Sequence, residues 1–256
     1  LPEFFDYCCS GWTEDRNEYG GGLLTDYVPV LAIDGPSGSG KGTVSRKLAR
    51  RLGWHLLDSG ALYRLVALAA VEGKLSLNDP ERLAHIASSM NISFAPASDL
   101  EQVFLEGKEV SKDMRTEACG TNASKIALQP AIRNTVVARQ RRFAQAPGLV
   151  ADGRDMGTIV FPDAILKVFL TASPEERALR RYNQLKDKGI DVNLAALSRR
   201  VYRRDRRDVE RNVAPLRPAQ DARVLDSTEL DENEVAEYIF EWLLGTGWSP
   251  VKASDG

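Results

Sequence analysis

Cysteine is nearly missing from this chain: three in 256 residues, adjacent at Cys8 and Cys9 and single at Cys119. That spacing supports neither a disulfide framework nor a thiolate zinc site, and it fits a reducing compartment. The two histidines, His55 and His85, form no metal pattern, so each is expected to be a local structural residue. No apolar run approaches the ~20 residues that span a bilayer. The first residues also lack the basic stretch and apolar core of a secretory signal. Aromatics make up 7% and few are interleaved with the basic residues, whose run is also broken by acids, which argues against a base-stacking nucleic-acid surface. The expectations are therefore a cytoplasmic protein with no membrane or nucleic-acid partner; a monomer is expected as well, though the composition does not bear on it.

What the chain has is a glycine-rich loop. Residues 35–43 read Gly35-Pro36-Ser37-Gly38-Ser39-Gly40-Lys41-Gly42-Thr43, one residue after the apolar run Pro29–Ile33. Such a loop can wrap backbone N–H groups around a polyphosphate, with Lys41 as a point charge and the next helix offering its positive end. Val44, Leu48 and Leu52 recur at helical spacing, and Gly53 stands where a helix stop is expected. With a strand before it and a helix behind it, the loop is read as an ATP site rather than an empty turn. The hydroxyl arrives one place late, at Thr43, because Gly42 follows the lysine.

Residues 1–27 carry a Gly20-Gly21-Gly22 run and no periodicity; they read as a flexible extension or an upstream segment. Strands are expected at 30–33, 54–57, 149–151, 165–171 and 223–225, alternating with helices at 44–52, 61–71, 173 onward and 235–243. Asp79-Pro80 is a helix start, and Ser173-Pro174-Glu175-Glu176 has capping-box spacing. Short strands at 91–95, 102–105 and 108–110, with a turn at Glu106-Gly107, suggest an antiparallel insert before helices at 117–128 and 130–145. The segment 152–158 looks too polar and glycine-rich for a core. The fold class expected is α/β: a mainly parallel sheet flanked by helices, with that small insert. One domain over 28–245 is expected, its insert-bearing region at about 60–130, with a tail at 246–256.

Asp152, at the end of an apolar strand, is a candidate magnesium ligand with Thr43, acting through water. Asp34 and Asp58 invite a catalytic reading, but structural or magnesium-shell roles are more economical. Residues 177–211 hold ten arginines. Intervening acids such as Asp205, Asp208 and Glu210 make most of these a solvated helix face. A minority are read as a mobile cover that brings guanidinium groups to a transferring phosphoryl group.

Four strings together carry a resemblance: Ile33–Thr43, Leu57-Asp58-Ser59-Gly60-Ala61-Leu62-Tyr63-Arg64, Ala151–Thr158, and Asn212-Val213-Ala214-Pro215-Leu216. In order and content the chain resembles the bacterial cytidylate kinases from about Val28 to Leu244. The resemblance implies transfer of the γ-phosphoryl group of ATP, with Mg2+, to CMP or dCMP. It implies that Ser59, Tyr63, Arg64, Arg154 and Arg211 surround the CMP phosphate. Ser124, Arg133 and Asp155 would read the base, and Arg204 and Asp208 would lie at the sugar. Lys41, Arg154, Arg204 and Arg211 are the expected charge-neutralising set, and Arg180 joins residues 35–43 at ATP. The same fold with AMP, UMP or shikimate as acceptor is the nearest rival. A nucleotide-dependent switch without small-molecule phosphorylation comes next, and a nucleic-acid-binding module is the weakest alternative.

Overall fold

The computed structural model describes residues 28–95, 102–187, 189–211 and 213–249. The 1–27 extension, Asn212 and the last part of the tail lie outside the described residues. In chain order the elements begin β1 (Val30–Asp34), α1 (Lys41–Leu52), β2 (His55–Asp58), α2 (Ser59–Glu72) and α3 (Pro80–Ser89). Next come β3 (Ile92–Ala95), β4 (Gln102–Leu105), β5 (Lys108–Glu109), α4 (Glu117–Ile126) and α5 (Pro130–Arg141). The chain continues with β6 (Leu149–Gly153), a π-helical turn Met156–Val160, β7 (Leu166–Thr171) and α6 (Pro174–Lys186). It ends with α7 (Leu194–Glu210), β8 (Arg223–Asp226) and α8 (Glu232–Leu244).

The described residues divide into two compact units: Ala61–Val136, and Val28–Gly60 with the chain from Val137 onward. The larger unit is built on a five-stranded sheet in the order β2-β6-β1-β7-β8, every pair parallel. β1 lies at its centre and is buried along its whole length, which is why Val30-Leu31-Ala32-Ile33 is continuously apolar rather than alternating. Leu31, Ile33, Val150, Val168 and Leu170 of the sheet pack with Val44 and Leu48 of α1 and Val235, Ile239 and Leu243 of α8 in one core. The helical spacing of those α1 and α8 residues is the stripe that buries them. Gly53 closes α1 with φ 65°, its N–H reaching the carbonyls of Ala49 and Arg50. Asp231 and Glu234 form a full capping box at the start of α8.

The smaller unit holds the antiparallel sheet β3-β4-β5. Its hairpin turn, Glu106-Gly107, has positive φ at both positions (50° and 77°), the twist that suits a two-residue hairpin loop. Leu62, Leu65, Val66, Leu83, Val103, Leu105, Ile126 and Ile132 are among its buried apolar residues. Asp79 caps α3, its carboxylate accepting from Arg82 N at 3.1 Å.

Three local expectations need correction. α5 ends at Arg141 rather than near 145, because the following amides bond to carbonyls three residues back: Arg142 to Arg139, Phe143 to Gln140 and Ala144 to Arg141. The α6 cap is one-sided: Ser173 Oγ accepts from Glu176 N at 3.2 Å, while the Glu176 carboxylate is drawn to Arg180. The segment 152–158 is largely core, with Gly153, Asp155, Met156 and Gly157 buried. Among the described residues no helix is long and apolar enough to cross a membrane.

Candidate active site

Of the candidate residues of the larger unit, the loop 35–43, Ser59, Asp152, Arg154 and Asp155 lie at or just beyond the carboxyl ends of β1, β2 and β6, where ligands bind in open parallel sheets. β1 runs into the glycine loop at Asp34. Gly35 has φ 151°, and a Cβ there would stand 2.0 Å from the Leu170 carbonyl oxygen, so a side chain cannot fit against β7. Gly38 and Gly40 also have positive φ, which turns the loop back on itself. Ser39 Oγ donates to Pro36 O at 3.1 Å and fixes the bend.

α1 then begins without a capping side chain and without an acid in its first turn. No side chain of the loop or of the first turn therefore caps its leading amides and positive dipole end, an arrangement suited to an anion. Lys41 is 6% exposed and donates from Nζ to Pro36 O at 3.0 Å, with Asp152 Oδ1 3.9 Å away. Burial, with the nearby charges of Arg154 and Arg204, lowers its ammonium pKa, and Asp152 and Asp58 pull the other way. Burial likewise raises the Asp152 carboxyl against the attraction of Lys41. The chain thus encloses a lysine among arginines where an added anion would relieve repulsion.

The late hydroxyl now has a physical reason. A Cβ on Gly42 would stand 3.2 Å from Asp152 Oδ2, so glycine admits the carboxylate close to the start of α1. Thr43, next along, accepts at Oγ1 from Arg46 Nη2 at 3.3 Å. Among the described residues no cluster of three or more His, Cys, Asp or Glu could hold a metal. One carboxylate and one hydroxyl beside a phosphate loop fit a magnesium ion held mainly by substrate phosphates and water.

β6 continues into the turn bearing Arg154 and Asp155. Asp34, 4% exposed, fixes that turn by accepting from Met156 N and Gly157 N, both at 2.8 Å. Arg141 braces the far side through Nε to Val160 O and Nη2 to Ile159 O, both at 2.9 Å. Burial raises the Asp34 carboxyl to about 6 despite those two amides. A carboxyl raised in the folded state contributes stability below its unfolded pKa and loses it as pH rises through about 6. The resulting penalty at neutral pH is about 3 kcal/mol. Asp34→Asn cannot titrate there. Lowering the pH from 7 to 5 should therefore shift the stability gap between wild type and variant by about 1 kcal/mol in favour of the wild type. Denaturant melts at both pH values check this; a gap that stays flat or moves the other way contradicts it.

Arg154 Nε lies 3.4 Å from Asp208 Oδ2, and Arg204 Nε lies 4.0 Å from the same oxygen. Arg154, Arg204 and Asp208 are thereby brought together, with both arginines near enough to act on Lys41. Asp155, next to Arg154 in the chain, is buried. Ser59 follows Asp58 of β2 and accepts at Oγ from Gln140 Nε2 at 2.9 Å. Arg211 donates from Nε to Ala214 O beyond the end of α7. Arg180 is held by Glu176 Oε1 at 2.8 Å and by Ser227, whose Oγ also lies 3.2 Å from Ser39 O of the loop. Arg199, Arg200, Arg203, Arg206 and Arg207 are exposed, the solvated face expected for most of the run.

Tyr63, Arg64, Ser124 and Arg133 belong to the smaller unit. Arg64 Nη1 donates to Met114 O at 2.8 Å and to Thr116 O at 3.3 Å. Its guanidinium lies against α4 at Gly120, where a Cβ would come within 2.9 Å of Nη2. Ser124, one turn on, donates back to Gly120 O at 3.0 Å, so α4 brings Arg64 and Ser124 to one stretch. Arg133 is buried and donates to Ala127 O at 3.3 Å; Tyr63 is buried. The supports Gln140, Arg141, Arg177 and Ser227 are absent from the sequence-based set. None of them carried a sequence signal of its own; the fold alone places Arg177, with Ala178, on the buried side of α6.

The chain matches the family described as cytidylate kinase over residues 31–243. It is 56% identical over 223 residues to the cytidylate kinase of Pseudomonas paraeruginosa, covering 86% of this chain and 97% of that one. It is 54% identical over 226 residues to that of Nitrosococcus oceani, covering 87% and 99%. Among solved structures, a shikimate kinase from Acinetobacter baumannii with bound shikimate is similar at a TM-score of 0.40 and 17% identity. That similarity covers 88% of this chain and 97% of that one, and it is too distant to weigh.

Proposed function

This chain belongs to the cytidylate kinase family, and from that membership we infer that it transfers the γ-phosphoryl group of ATP to CMP or dCMP. The products are ADP and CDP or dCDP. The observation that carries this reading is the buried Lys41, set in a loop with no acid of its own, with Arg154 and Arg204 converging on it.

A CMP phosphate oxygen attacks the γ-phosphorus in line. The new O–P bond forms as the bond from that phosphorus to the bridging oxygen of ADP breaks, and the electron pair leaves on ADP. The attacking phosphate has a second pKa near ~6 and is largely ionised at neutral pH, so no general base is required. The loop amides and Lys41 hold the donor phosphates, while Arg154, Arg204 and Arg211 neutralise charge around the transferring group. Magnesium, held through Thr43 and through water by Asp152, would draw charge from the phosphate oxygens. Gly35 to Thr43 and Arg180 are assigned to ATP. α6 and α7 form the cover that excludes water and prevents simple hydrolysis.

Cytosine offers an exocyclic amine, and a buried carboxylate at Asp155 accepts from it; uracil would set a carbonyl oxygen against that carboxylate. Ser59 and Asp208 are assigned to CMP with Arg154, Arg204 and Arg211. The family resemblance alone assigns Tyr63, Arg64, Ser124 and Arg133 to CMP. We assign residues 28–245 to one kinase domain, working as a monomer in the cytoplasm without nucleic acid.

A panel of CMP, dCMP, UMP and AMP with ATP and magnesium tests the acceptor. CMP and dCMP should exceed UMP in kcat/KM by tenfold or more, about the value of one well-placed base contact. Equal or better use of UMP contradicts the role given to Asp155.

A further inference from the structure

Arg177 stands apart from the other arginines of the 177–211 run. It is 3% exposed, near the start of α6, and all three of its guanidinium nitrogens donate hydrogen bonds. Nε donates to Ala172 O at 2.9 Å, at the end of β7. Nη1 donates to Ser37 O of the phosphate loop at 3.1 Å and to Asp205 Oδ1 at 2.9 Å; Nη2 donates to Asp205 Oδ2 at 2.5 Å. One rigid, planar group therefore joins the glycine loop, the end of a sheet strand and α7. The loop lies directly on this side chain: a Cβ at Gly38 would stand 3.2 Å from Arg177 Cβ.

The position of Asp205 on α7 gives this contact its consequence. Asp205 follows Arg204 directly and precedes Asp208 by three residues, so 204, 205 and 208 share one stretch of helix surface. Asp208 is the carboxylate beside Arg154 and Arg204. We propose that Arg177 and Asp205 form a positioning pair that fixes the phosphate loop and α7 in one register, so that Arg204 meets the γ-phosphoryl group the loop holds. The bidentate geometry supplies the precision, since both guanidinium nitrogens and both carboxylate oxygens must be aligned together. A lysine at 177 would keep the charge but could not make the same fork. The pair touches no reacting atom; it acts through Ser37 and Arg204. The inference rests on the kinase reading above.

The test uses the full chain with ATP, magnesium and CMP. Asp205→Asn keeps the shape of the side chain and removes one acceptor and the charge. It should lower kcat about tenfold, the cost of a small misplacement of reacting groups, while KM for CMP changes less than threefold. ATP hydrolysed per CDP formed should rise, because a misplaced α7 leaves the donor phosphate open to water; a purely structural role would leave that ratio alone. Arg177→Lys should behave in the same way. In an Arg204→Lys background, the loss caused by Asp205→Asn should shrink to less than threefold. Should Asp205→Asn not fold by circular dichroism, Asp205→Glu, which moves the carboxylate by one methylene, is expected to give the same rise in hydrolysis per CDP. Folded variants with wild-type kcat and wild-type coupling, or with losses fully additive to those of Arg204→Lys, overturn the positioning pair. A wild-type protein that forms no CDP overturns the kinase reading itself.

Discussion

Replacing Lys41 by alanine should lower kcat for CDP formation by ~10^3-fold, the scale on which a single cation at a transferring phosphoryl group acts. The side chain is almost fully enclosed, and its Nζ is held by Pro36 O at the bend of the loop. Its substitution removes the mobile charge and leaves Asp152 without its nearest cation at 3.9 Å. Substrate binding should suffer less than turnover, because the loop amides and the open end of α1 remain. Steady-state kinetics with a circular dichroism control decide it. Near-normal turnover in a folded variant contradicts the phosphate-cradle assignment.

Asp155→Ala should separate the two nucleotides. Loss of one charge-assisted hydrogen bond from a buried carboxylate is worth about 2 kcal/mol, or about 30-fold in KM for CMP. KM for ATP should stay within about twofold, because the glycine loop is a separate segment held by its own bonds. The turn itself should survive, since Asp34 and Arg141 hold it through backbone atoms that the substitution leaves in place. Equal losses for both nucleotides would make Asp155 a structural residue.

The strand, loop and helix from Val30 to Leu52 were legible because each has its own local cause: a buried central strand, positive-φ glycines and an apolar stripe on α1. The hairpin at Glu106-Gly107 and the caps at Asp79 and Ser173 were legible for the same reason. What escaped were effects carried by residues distant in sequence. The turn 153–157 reads as polar, yet it is buried because Asp34, more than 100 residues earlier, supplies acceptors for two of its amides. Arg177 is indistinguishable in composition from its solvated neighbours. Only the packing of α6 against the glycine loop turns it inward. Gly42 reads as an irregularity of the loop, and its cause, the Asp152 carboxylate that lies against it, is distant in sequence. The supports Gln140, Arg141 and Ser227 had no sequence signal, because each acts through a partner that only the tertiary fold brings near.

The measurement that bears most directly on the central claim is the fate of labelled phosphate. Purified protein with magnesium, CMP and ATP labelled at the γ-phosphorus should place the label in the β-phosphate of CDP, in step with ADP formed. Binding of ATP with the label confined to ATP or inorganic phosphate, at every CMP concentration, would contradict it.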